Sequence, residues 1–279
     1  MPRWAAPFWT AIAHGSCGDG GESPEWGNGM TPPTFDHRDA GTPEDRWPPA
    51  LSAACPGRLN LSAFRQLVVL AAHPDDETLG AGGLLAAAYR LGLDVTVVIA
   101  TLGEGSHPGS STHTPDDLAR VRQAEVRAAV RVLAPSARVW IVGLPDGRLT
   151  EHRDQLLVVV AGCVAGPTTL VVAPFVADRH PDHEAAGAVA TQAAAAVGAT
   201  PLGYPIWMWH WALPEELPGG LLRLDLESPD RDRKREALQC HRSQIHPLSD
   251  RPGDEPIVAP DFAAHFDRGY EIFVKARMQ

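Results

Sequence analysis

From about residue 60 onward, the hydrophobic and polar positions fall into alternating blocks. Short, almost unbroken apolar runs at 66–72, 94–101, 138–142 and 168–173 predict strands buried on both faces. Between and after them, helical spacing of apolar positions predicts helices over 77–91, 116–133, 151–164 and 183–197. Apolar strands that alternate with amphipathic helices imply an α/β chain with a parallel sheet and crossover connections. Farther on, 201–211 reads as a fifth strand or an aromatic-dense loop, and 221–226 as an edge strand. A charged helix is expected at 230–241, a loop over 247–260 and a last short element around 262–274. Residues 1–60 are rich in Pro, Gly, Asp and Trp, have no usable period, and predict an irregular arm tied down by Trp4, Phe8, Trp9 and Trp47.

Composition narrows the picture by exclusion. A net charge of −10 and a pI of about 5.6 argue against a nucleic-acid surface or an anionic membrane patch. No apolar run approaches the roughly 18 residues of a membrane span. Cys17, Cys55, Cys163 and Cys240 are scattered without metal or disulfide spacing, which predicts free thiols in a reducing, cytoplasmic setting.

The candidate chemistry sits where two of the predicted strands end. Leu67-Val68-Val69-Leu70 runs into Ala71-Ala72-His73-Pro74-Asp75-Asp76-Glu77, and Leu170-Val171-Val172-Ala173 precedes His180-Pro181-Asp182-His183-Glu184. Both phrases combine His, Pro, Asp and Glu, and each opens a helix. Asp75 or Asp76 suits an N-cap, and Pro74 suits the start of that helix. Ionisable groups at the exit of a core strand are costly unless something pairs them, and a divalent metal would do so. In an open parallel sheet both phrases emerge at the carboxyl edge, where ligands bind. Gly80, Gly82 and Gly83 come inside the helical pattern rather than before it, so close packing is expected there instead of a dinucleotide loop.

His73-Pro74-Asp75-Asp76-Glu77 with a later His180-Pro181-Asp182-His183 resembles the PIG-L/LmbE family of zinc-dependent N-acetylglucosamine deacetylases, over roughly residues 65 to 250. The resemblance implies a three-layer Rossmann-like fold with a mostly parallel sheet. It divides the chain into an N-terminal extension, 1–60, and a single deacetylase domain, 61–279. It implies His73, Asp76 and His183 as ligands of one Zn2+ (Fe2+ suits the same donors), with a fourth position open for water. Asp75 becomes the general base and His180 the acid that steadies the oxyanion or protonates the leaving amine. Asp182 is expected to hold His180 protonated. Glu104, after the second strand, resembles a family residue that accepts sugar hydroxyls. Arg122, three before Glu125, resembles the one that holds the sugar conjugate, and Asp146 in a Pro-Asp-Gly turn a polar substrate contact. The 105–114 stretch reads as a mobile loop over the pocket. Gln239, His241, Ser243 and Gln244 fall where the family often carries a His-x-Ser-Gln phrase. Asp178 stands where some members have a tyrosine, which leaves more of the oxyanion's charge to zinc and His180.

The implied reaction is hydrolysis of the N-acetyl amide of a small amino-sugar conjugate, in natural-product or thiol-precursor biosynthesis. Partners are thus a small molecule, no nucleic acid, no membrane, and a possible second copy of the chain. A catalytically inactive sugar-binding member is the alternative. A two-metal phosphoesterase would need further carboxylates at matching positions. The clustered Tyr204, Trp207, Trp209, His210 and Trp211 suit either core packing or stacking on a sugar or aromatic aglycone.

Overall fold

The computed structural model describes residues 35–276. In chain order the main elements are α1 (Trp47–Ala54), β1 (Gly57–Arg58), β2 (Gln66–Ala71), α2 (Asp76–Arg90), β3 (Asp94–Thr101), α3 (Pro115–Leu133) and β4 (Arg138–Leu144). They continue with α4 (Arg153–Cys163), β5 (Thr169–Pro174), α5 (Pro181–Val197), β6 (Thr200–Tyr204), α6 (Met208–Trp211) and β7 (Leu221–Asp225). The last are α7 (Ser228–Leu238), α8 (Arg242–Ile245), α9 (Pro260–Ala263) and β8 (Tyr270–Lys275).

The eight strands form one sheet in the order β1-β7-β8-β6-β5-β2-β3-β4, parallel except where β8 runs antiparallel between β6 and β7. Its centre is buried on both faces, and side-chain alternation divides it cleanly. Leu67, Val69, Leu170 and Val172 face the core layer that includes residues of α2 and α3, while Val68, Leu70, Val171 and Ala173 face that of α4 and α5. From β2 the chain lays β3 and β4 to one side; after α4 it returns to place β5 and β6 on the other. The switch point therefore lies between the paired strands β2 and β5, which carry the two phrases.

Helix α2 is broken at Ala81 (φ −140°, ψ 16°). The amides of Gly83 and Leu84, freed there, donate to the buried Glu271 carboxylate at 2.7 and 2.8 Å, and Lys234 Nζ bonds the same group at 2.7 Å. The glycines in this helix serve packing, as expected: a Cβ at Gly80 would run into the Tyr204 ring, and one at Gly83 into Leu226.

The extension is more regular than its sequence suggests. Residues 47–54 form α1 with Trp47 fully buried against Trp209, and Gly57–Arg58 pairs with β7. Strand β7 is thus next to the edge instead of at it. Trp4, Phe8 and Trp9 lie outside the described residues. No described helix is long and apolar enough to cross a membrane.

Candidate metal centre

The turn that leaves β2 is held in a conformation that side chains rarely adopt. Asp75 has φ 125°, and Arg179, one residue before the second phrase, has φ 61°. Such residues cost about 1–3 kcal/mol each and persist only where the surroundings fix them. Asp75 N–H donates to buried Glu77 at 3.1 Å, its carbonyl accepts from Thr78 and Leu79, and Arg122 grips the Pro74 carbonyl at 2.7 Å. The Arg179 guanidinium lies 3.6 Å from the Trp211 ring centroid. His180 then caps α5, its Nδ1 accepting the Asp182 N–H at 3.3 Å, with Pro181 in the first turn.

These turns bring His73, Asp76 and His183 together. His183 Nε2 is 3.3 Å from His73 Nδ1 and 3.4 Å from Asp76 Oδ1, and His73 Nδ1 is 3.5 Å from Asp76 Oδ2. Ligands about 2.0–2.1 Å from a tetrahedral zinc are separated by roughly 3.3 Å, so the donor set fits such an ion. The remaining ring nitrogens are also held. His183 Nδ1 meets Asp178 Oδ2 at 2.7 Å, and His73 Nε2 meets Asp146 Oδ1 at 3.0 Å. A carboxylate on the outer nitrogen fixes each ring's tautomer and leaves the inner nitrogen's lone pair for a cation. Asp76 is held well below the usual carboxylate range: His183 and His73 outweigh the burial that would raise it.

Asp75 adjoins this cluster without joining it. Burial pushes its carboxyl up to about 6, against the pull of Arg122 at 3.3 Å. His180 also belongs to the cluster, half-buried, its ring centroid 4.9 Å from that of His73 and 4.6 Å from that of His183. Burial, then repulsion from those two rings, holds it well below the ordinary histidine value. The expectation that Asp182 keeps His180 protonated does not hold. The Asp182 carboxylate instead accepts the Gly147 and Leu149 amides at 2.8 and 2.9 Å and approaches His73 Nε2 at 3.4 Å. With its Nδ1 accepting a backbone N–H, His180 is a neutral ring carrying its proton on Nε2.

The three expected substrate residues join the same network, and Arg122 and Asp146 line the cleft. Arg122 is buried, with Nη1 on the Gly103 carbonyl at 2.7 Å and Nη2 shared between Pro74 and Asp75. Asp146 spends Oδ1 on His73 and accepts the Gly105 amide on Oδ2 at 2.9 Å. Glu104 Oε1 accepts the Asp146 amide at 2.9 Å, while its buried Oε2 has no partner among the described residues. Asp146 and Asp182 are further carboxylates beside His73, a placement the sequence does not suggest because nothing in their spacing pairs them. Backbone amides and the outer nitrogen of His73 occupy them. The 105–114 loop is tied down: His107 bonds the Glu255 carbonyl at 3.1 Å, and Thr112 bonds Asp254 at 2.6 Å.

Several residues that the sequence gives no role take part in the network. Asp178, which registers there only as a missing tyrosine, holds His183 and accepts the amides of Ile206, Trp207 and Met208. His241, fully buried, meets Thr78 Oγ1 at 3.0 Å and Glu77 at 3.4 Å. Glu125 clamps Ser243 through its amide and hydroxyl at 2.8 and 2.7 Å, placing Gln244 on the cleft wall with its Oε1 unpaired among the described residues. The cleft is lined by His73, Asp75, Asp76 and His180 and also by Phe35, Trp207 and Phe262.

Fold and site together define an α/β protein whose switch point gathers imidazoles and carboxylates into a centre of the divalent-metal type. Residues 68–194 match the family model described as PIG-L, GlcNAc-PI de-N-acetylase. A conserved protein of Thermus thermophilus, known from its crystal structure, is 31% identical, with a TM-score of 0.50 over 65% of this chain and 80% of that one. A 1D-myo-inositol 2-acetamido-2-deoxy-alpha-D-glucopyranoside deacetylase of Rhodococcus erythropolis is 29% identical over 184 residues. That match spans 55% of this chain and 63% of the relative, less than two thirds of its length. A probable N-acetyl-alpha-D-glucosaminyl L-malate deacetylase 2 of Bacillus anthracis is 28% identical over 65% of this chain and 82% of its own.

Proposed function

We propose that the protein hydrolyses the N-acetyl amide of an N-acetylglucosamine-type conjugate, releasing acetate and the free amino sugar. The observation that carries this reading is the convergence of His73, Asp76 and His183 beside a carboxyl raised to about 6. The relatives named above share an N-acetylated glucosamine and differ in what it is attached to. Two imidazoles and one carboxylate suit a single Zn2+ per chain, and Fe2+ fits the same donors. When bound, the ion supplies Lewis acidity toward the amide carbonyl and acidifies water.

The chain's own groups do the rest. Asp75 accepts the proton of the attacking water and returns it to the departing nitrogen, so one carboxyl serves in turn as base and acid. A value near 6 suits both tasks at neutral pH. His180 donates its Nε2–H to the developing oxyanion, a role a neutral ring performs as a hydrogen-bond donor. Asp178 and Asp146 orient the ligand imidazoles, Arg122 positions Asp75, and Glu104 Oε2 with Gln244 Oε1 are left for sugar hydroxyls. Cys55, exposed and without a disulfide partner among the described residues, supports placement in the reducing cytoplasm.

An inactive binding member would have no need of the raised Asp75 carboxyl, and the network around it favours the enzyme. Acetate release from methyl N-acetylglucosaminide, measured on metal-loaded protein with metal content determined in parallel, tests the reading. Release that tracks metal content is expected. A fully loaded protein that releases acetate from no N-acetylated amino-sugar conjugate overturns it.

A further inference from the structure

We infer that Phe35, Trp207 and Phe262 form a binding site for an apolar aglycone on the amino-sugar substrate, with Phe35 of the N-terminal extension a specificity-determining residue. The inference rests on the deacetylase reading above and narrows its substrate class. Trp207 stacks on Phe262 with centroids 4.6 Å apart and planes 7° apart, and Phe35 lies 5.0 Å from Trp207. Ile206, Ile257 and Val258 continue this wall in the cleft that holds Asp75 and Asp76. Trp207 is fixed to the metal cluster through Asp178, which takes its amide at 2.9 Å while holding His183. Phe35 is fixed by the segment that follows it. Thr42 bonds the Ala212 carbonyl at 2.7 Å and the His210 carbonyl at 2.9 Å, and His210 Nε2 meets the Asp36 carbonyl at 3.2 Å.

Every residue of this wall lies outside the 68–194 segment that matches the family. The groups that act on the N-acetyl amide, His73, Asp75, Asp76, His180 and His183, lie within that segment, so the wall is assigned to the part that varies among the relatives, the aglycone. A polyol such as inositol would lose hydrogen bonds to water against this surface and find few partners there. An alkyl or aryl group would gain from burial and from stacking on the rings.

The test compares KM and kcat for methyl, octyl and phenyl N-acetylglucosaminides and for a methyl glucosaminide bearing octanoyl in place of acetyl, all with metal-loaded protein. The octyl and phenyl glycosides should have KM about tenfold or more below the methyl glycoside, a stacking-scale effect. Phe35→Ala should shrink that ratio toward one, while Phe35→Leu, which keeps apolar bulk, should retain the octyl preference. Equal KM values for methyl and apolar glycosides overturn the inference and leave the deacetylase reading standing. A preference confined to the octanoyl compound also overturns it, because the wall would then serve the acyl side. If no conjugate is hydrolysed, the deacetylase reading falls and calorimetric binding of octyl against methyl glucosaminide decides the wall's role. Tighter octyl binding that Phe35→Ala abolishes upholds an apolar site, and equal binding removes it.

Discussion

At the scale of single residues, the site depends on four carboxylates in three distinct environments. Asp76 is paired with imidazoles and ionised, Asp75 is buried beside it and raised, and Asp146 and Asp178 each hold the outer nitrogen of a ring. The difference comes from neighbours, since all four are aspartates and all are buried. Replacing Asp75 by Asn keeps its shape and removes its basicity. Turnover of an N-acetylglucosaminide should fall by about 10²–10⁴-fold while bound metal stays at the wild-type level. Asp178→Ala acts on the ion instead. Without its partner the His183 ring loses its fixed tautomer, and competition with a chelator should reveal metal affinity lower by about 10–100-fold. Unchanged affinity would mean that the 2.7 Å contact does not orient the ligand.

At the scale of elements, what can be read from the sequence is what local pattern controls. Strand β3 occupies 94–101 as its apolar run predicts, and α3 begins at a Thr114–Asp117 capping box one residue from its expected start. The convergence of His73, Asp76 and His183 is legible because a repeated phrase at two strand ends is a local feature. Long-range pairings are hidden. The break in α2 exists because Glu271, far away in the chain and itself held by Lys234, accepts the freed amides, and β8 enters the sheet through pairings that no local pattern encodes. Asp146 looks like an ordinary turn former because only the fold brings it to His73. Helix α1 escapes notice because Pro48 and Pro49 read as breakers, although both lie in its first turn, where proline is tolerated. The glycines of α2 do pack as their place in the helical pattern implies, and they allow a prediction. In Gly80→Ala the added methyl meets Tyr204, which is fully buried and tied by its hydroxyl to the Leu70 carbonyl at 2.7 Å. Denaturant unfolding should show a loss of about 1–3 kcal/mol, the usual cost of overpacking a core.

At the scale of the whole molecule, one acidic residue ties the segment before α1 to the far end of the chain. Glu44, just before α1, takes Arg268 in a two-point ion pair at 2.7 and 2.5 Å and His265 Nδ1 at 2.7 Å. Arg268 in turn lies 4.3 Å from the Trp209 ring centroid, and Trp209 packs edge-on against Trp47 of α1. This clamp sits nine residues after Phe35, so the wall of the cleft depends on it. Burial would raise the Glu44 carboxyl, but Arg268 and His265 outweigh it and hold it below the ordinary value of 4.5. A group whose folded value is depressed contributes its full stabilisation above the ordinary range and loses it as pH falls through the depressed value. Glu44→Gln should therefore weaken hydrogen-exchange protection across Trp47–Ala54 at neutral pH by roughly 1–2 kcal/mol, the scale of hydrogen bonds to a charged group that is partly exposed. The gap between variant and wild type should start to narrow below pH 4.5 and close only once pH has fallen through the depressed value, where the folded wild-type carboxyl is protonated too. A gap that persisted unchanged into acid would show that the clamp works through shape alone, since only its charge is removed by titration.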